Sequence, residues 1–145
     1  MAKPIKTHFK KLAFLLDTFK GKGLIDSLYI DIDRDHEGKR PKYEYCAVGA
    51  AFISAGGKRK ILLDEEDGGT DAALYKVLAM PSTVLNEVTQ VNDDFYSERE
   101  DEHVARLYFM RRYSYERGRG RTRNQALVAA TKLTNKAFPE PTECR

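Results

Sequence analysis

The sequence predicts a mainly α domain, α+β on a strict count, with about five helices around a buried central helix and a small β-hairpin at one side. Three observations carry this expectation. Phe9, Leu12, Ala13, Leu15, Leu16 and Phe19 recur at three- and four-residue steps, the period of one helix face. Leu28, Ile30 and Ile32, and then Tyr43 and Tyr45, alternate with polar neighbours, the period of a strand. The run from Cys46 to Ala55 is small and apolar on nearly every side, which suits a helix enclosed by others.

Taken in order, the first helix should begin near Thr7, carry lysines on its polar face, and stop at Gly21 or Gly23. The hairpin follows, its strands separated by the polar, turn-rich stretch Arg34 to Pro41. Such a short hairpin needs a helical layer beneath it. The 46–55 helix should be the centre of the core, closed by Gly56-Gly57. The apolar tripeptide Ile61-Leu62-Leu63 leads into an acidic turn, Asp64 to Asp67. Thr70 is placed to cap a helix running through Leu78 and stopping before Pro81, and Ser82 to cap another that breaks at Asn92-Asp93-Asp94. Ser97-x-x-Glu100 reads as a capping box for the longest helix, with Val104, Leu107, Tyr108 and Arg111 on one stripe and Gly118 and Gly120 at its end. A last helix spans about Thr122 to Lys136. Residues 1–138 are expected to form a single domain and 139–145 a loose tail.

The 145 residues are 41% hydrophobic and 32% charged, the balance of a globular chain. Two cysteines, Cys46 and Cys144, make no disulfide framework, which suits a reducing compartment. No run approaches the roughly 18 apolar residues of a membrane span, and the N-terminal residues hold no signal-type apolar core. The expectation is a cytoplasmic protein with no membrane association.

Charge is segregated along the chain although the net value is only +3. Residues 1–25 hold six lysines against Asp17, residues 61–102 hold twelve acids against Lys76 and Arg99, and residues 103–145 hold ten bases against three acids. Blocks of this kind either make basic and acidic faces for partners or neutralise one another on folding.

Three constellations could carry chemistry. Cys46 stands where a strand feeds a helix, and helix N-terminal amides favour a thiolate; Cys46, His103 and Asn92 are the residue types of a Cys–His–Asn set. The competing reading is a small packed core residue. Arg111, Arg112, Arg117, Arg119, Arg121 and Arg123 crowd into thirteen residues with Tyr113 and Tyr115 between them. Guanidinium forks fit phosphate or carboxylate, and tyrosines stack on bases, so this segment is a candidate contact for nucleic acid or an acidic protein; the alternative is a solvated loop. Asp31-x-Asp33-x-Asp35 opens like a calcium loop but has His36 at the glycine position and Lys42 at the glutamate position. His8 and His36 have no second ligand at metal spacing, so no metal is expected, and no phosphate or dinucleotide loop points to a cofactor.

Cys46-Ala-Val-Gly-Ala50 and the later Asn92-Asp93 resemble a family of short bacterial and phage domains of uncharacterised function, which have a C-A-x-G-A helix and an N-D pair ahead of a final helix. The likeness covers roughly residues 43–110; the chain departs from it at Val91, where an aromatic is common, and in its arginine-rich tail. The resemblance implies a compact helical domain of phage or mobile-element origin and brings no activity with it.

These readings favour a non-enzymatic interaction or regulatory protein that binds a host protein or other macromolecule through charged surfaces. Nucleic-acid binding by the 111–123 segment and a cysteine-dependent enzyme using Cys46 are the alternatives.

Overall fold

The computed structural model describes residues 3–33, 42–63, 69–97 and 101–139. Its elements are α1 (Ile5–Thr18), β1 (Ile30–Asp33), β2 (Lys42–Tyr45), α2 (Ala47–Ser54), α3 (Arg59–Leu63), α4 (Gly69–Leu78), α5 (Ser82–Asp94), α6 (Glu102–Gly118) and α7 (Arg123–Ala137). This is the mainly α architecture with one antiparallel hairpin that the periodicity predicts; α3 is the added element. The 34–41 stretch with Asp35 of the calcium-like acids, the 64–67 acidic stretch and the tail from 140 lie outside the described residues, while Asp31 and Asp33 fall in β1.

α2 is buried from Ala47 to Phe52 and packs on α1, α4 and α5. α6 packs along α1 and against α7. α1 is therefore covered by α6, α2 and α5, and Phe9, Leu12, Ala13, Leu15 and Leu16 are all buried. It ends at Thr18, before the glycines, because Phe19 turns out of the helix with ψ 128° and puts its ring into the core. The released carbonyls are met from a distance: Arg111 Nε donates to Leu16 O at 2.8 Å and Nη2 to Phe19 O at 3.3 Å.

The hairpin pairs Ile30 with Tyr45 and Ile32 with Tyr43, and turns Ile30 and Tyr45 toward the core. Gly49, one turn into α2, is where the hairpin lands. A Cβ built there would lie 2.0 Å from the carbonyl oxygen of Tyr29, and backbone cannot swing aside as a side chain can. Gly49→Ala is accordingly expected to cost about 3 kcal/mol through overpacking; a urea midpoint unchanged from wild type would show that this contact has slack.

Several boundaries differ from expectation for local reasons. α4 starts at Gly69, which puts Thr70 inside the helix. Pro81, not Ser82, is the N-cap of α5. α5 also continues through Asn92-Asp93-Asp94: Asn92 is buried, its Nδ2 donating to Ile25 O at 2.9 Å, and Asp93 Oδ1 accepts the N–H of Ser27 at 2.9 Å. Ser27 is held at φ 66°, a left-handed conformation that this carboxylate bond supports. α6 opens at Glu102 after Asp101, five residues beyond Ser97. Its buried apolar residues are Ala105, Leu107, Phe109, Met110 and Tyr113, whereas Val104 of the expected stripe is 40% exposed. A helix packed against both α1 and α7 covers more than one stripe. Thr122 caps α7 in a reciprocal box with Gln125.

Candidate functional site

The arginine segment is divided by the fold. Arg111 is the cap of α1 described above. Arg117 makes a two-pronged pair with Glu87 at 2.8 and 2.9 Å, donates to Arg121 O at 2.9 Å, and lies 4.9 Å above the ring of Phe9. Tyr113 donates its hydroxyl to the same carboxylate at 2.5 Å. Arg119 and Arg121 share Glu116 at 3.4 and 3.7 Å from half-exposed positions. Arg112 is exposed beside the ring of Tyr108, and Arg123 is the first residue of α7. Lys10 of α1 meets this segment at Gly118, and with Tyr115 and Arg119 it surrounds a cavity of about 140 Å³ floored by Ala13 and Gly118.

Cys46, His103 and Asn92 are each engaged elsewhere. Cys46 is the N-cap of α2, its Sγ accepting the N–H of Gly49 at 3.5 Å. Burial pushes its thiol up to about 11 against the smaller opposing pull of backbone N–H groups, so at neutral pH the sulfur is protonated. His103 Nδ1 sits 3.2 Å from Glu44 Oε2, and Asn92 faces Ile25. No hydrogen bond joins any two of the three among the described residues.

A different region gathers charge and aromatic surface around a cavity. The strap after α1, from Phe19 to Gly23, forms one wall; β2 and Arg59 at the start of α3 form the other; His103 closes an end. The cleft's volume is about 650 Å³, and a neighbouring hollow of about 550 Å³ shares Phe19, Tyr43, Tyr45 and Arg59 with it. The strap can lie this close to α6 because residue 23 is glycine: a Cβ there would stand 2.6 Å from the backbone of His103.

Among the described residues, four cations border the two hollows, namely Lys20, Lys22, Lys42 and Arg59, and the one carboxylate lining them is Glu44, which faces His103. Arg59 lies over Tyr43, its Cζ 3.9 Å from the ring centroid, and its Nε donates to the hydroxyl of Tyr45 at 3.0 Å. Phe19 meets Tyr45 edge to face. The guanidinium is thereby fixed in orientation before any ligand arrives, and the terminal nitrogens are the part of the fork suited to a carboxylate or phosphate. Positive charge over aromatic surface is what this cleft offers.

Compared with family models, with curated proteins and with solved structures, the chain matches none. The site is therefore read from its own geometry. No helix among the described residues is long and apolar enough to cross a membrane.

The cleft was missed in sequence because its parts are ordinary there. Tyr43 and Tyr45 read as strand alternation, and nothing in the sequence sets Arg59 apart from the bases on either side of it; only the folded chain brings them together. A usable signal existed in Lys20, Lys22 and Lys42, which flank glycines and aromatics rather than an apolar helix face.

Proposed function

We propose that this chain is a non-enzymatic interaction protein that binds an acidic protein partner through a charged surface, and that the cleft between the 19–23 strap and β2 makes the contact. The observation that carries the reading is the imbalance at the cleft, where the described lining residues set four cations against one carboxylate that already faces a histidine. Charges at a partly enclosed aromatic surface are less screened than free surface lysines and steer an oppositely charged partner.

The test is a fluorescence-anisotropy titration with a labelled Glu/Asp-rich peptide at low salt. Binding should weaken steadily as salt is added, and the pair Lys22→Glu with Lys42→Glu should lower affinity by about tenfold or more. Salt-independent binding, or affinity untouched by the reversals, would remove the cleft as the contact.

A second reading, single-stranded nucleic acid at the α6–α7 turn, is favoured by the small cavity between Lys10, Tyr115 and Arg119, where a base could stack between cations. Its test uses Arg112, Arg119 and Arg121, and leaves Arg111 and Arg117 in place because both hold the fold together. A mobility shift that persists after those three become alanine excludes it.

A further inference from the structure

The strap that runs from α1 toward β1 begins to pair with β2 and then parts from it. Ile25 donates its N–H to Tyr45 O at 2.9 Å, so that carbonyl points away from β1. Backbone groups two residues apart on a strand share an edge, which turns the N–H and C=O of Tyr43 toward the strap side as well. The strap does not reach them. Leu24 gives its N–H to His103 O instead, at 2.9 Å, and Phe19 to Gly23 diverge to become the opposite wall of the cleft. Among the described residues, no backbone group outside the β1–β2 ladder bonds to Tyr43. Among the described residues, β2 thus presents an open edge to the larger cavity.

From this we infer that the cleft takes its partner as an extended acidic segment, laid along the free edge of β2 as an additional strand and bonded to the backbone of Tyr43. The inference rests on the function proposed above and adds to it the conformation of what is bound. Strand addition draws affinity from main-chain bonds and selectivity from the pockets that alternate side chains enter. Here the alternation is informative. Tyr43 and Tyr45 share one face of β2, with Arg59 over Tyr43; Lys42 and Glu44 lie on the other, with His103 beside Glu44. A guest strand would set one series of side chains against the tyrosine–guanidinium face and the other toward Lys42, so an acidic guest meets a cation on either side. Lys20 and Lys22 line the far wall. Peptide is favoured over nucleic acid because the exposed edge alternates N–H and C=O, and a phosphodiester chain brings acceptors but no N–H to answer a strand carbonyl.

The probe is a capped hexapeptide of alternating glutamate and valine, compared with two versions carrying N-methyl groups on its odd or its even residues. An added strand turns only every second residue toward β2, so one methylated set should lose about tenfold or more in affinity and the other should bind nearly as the parent does. Hydrogen exchange at the Tyr43 amide should slow on binding the parent peptide. Salt-sensitive binding with both methylated sets equal to the parent overturns the strand geometry while leaving the acidic cleft intact. Failure of the parent peptide to bind at low salt, or its displacement by an unstructured oligonucleotide at lower concentration, overturns the proposal and the functional reading beneath it. The modifications sit on the ligand, so no outcome depends on a variant that fails to fold.

Discussion

Arg106→Met should cost the fold about 3–5 kcal/mol, the range for stranding the partners of a buried charge. Arg106 is 2% exposed. Its Nε donates to Asn92 O at 3.1 Å, Nη2 to Phe95 O at 2.8 Å and to Glu102 Oε1 at 3.2 Å, and Nη1 to Leu24 O at 3.4 Å. One guanidinium thus closes the end of α5, holds the strap and joins both to α6. Methionine fills much of the volume but leaves these carbonyls without a donor, at about 1–3 kcal/mol for each one that water cannot reach. Lysine should fare little better, since one ammonium cannot span acceptors on two elements. In thermal melts the loss corresponds to a fall on the order of 10 °C for a chain of this size. A decrease of less than about 1 kcal/mol in urea would mean that the carbonyls find water or each other.

Glu87→Gln is the second large effect, about 2–3 kcal/mol at neutral pH, because charge-assisted bonds to Arg117 and Tyr113 are lost together. It also carries a pH signature. Burial alone would raise the Glu87 carboxyl, but hydrogen bonds from Arg117 and Tyr113, with the charge of Arg117, outweigh it and hold the group below its ordinary value near 4.5. A carboxyl lowered in the folded state adds stability that is present above its unfolded value and is lost as pH falls through its folded one. The gap in unfolding free energy between wild type and variant should therefore be widest near pH 7 and narrow progressively below about pH 4.5. A gap that stays constant down to pH 3 would show that the carboxylate's charge contributes nothing there.

The parts of the fold that were legible in sequence are those whose own local pattern decides their burial or their end. α2 is apolar on all sides and is enclosed; the β1–β2 alternation has one face inward; Thr122 and Gln125 sit at capping distance, and α7 starts between them. What could not be read depends on pairing between remote segments. Asn92 looks like a helix breaker until Ile25 is beside it. Arg106 looks like a solvated residue of a charged helix until three carbonyls from the strap and α5 surround it. Arg111 and Arg117 belong to a conspicuous basic run, yet Leu16 O and Glu87 take them up. Composition reveals how many arginines are available and is silent on which of them the interior consumes. The cleft was hidden for the same reason, since Arg59 becomes a positioned fork only when Tyr43 and Tyr45 lie beneath it.

The antiparallel seam between α1 and α6 has a consequence for biosynthesis. Arg111 reaches Leu16 across 95 residues of sequence, and Gly118 abuts Lys10 across a longer interval still. α2 and α5 can shelter part of the first helix as soon as they emerge, but the flank meant for α6 must wait. At ribosomal elongation rates that wait lasts about 5–20 s. Throughout it the nascent chain carries an uncovered greasy strip along that helix, with lysines on the reverse side. A helix translated well before α6 thus finishes docking late, and chain termination before residue 111 would leave it permanently unsealed.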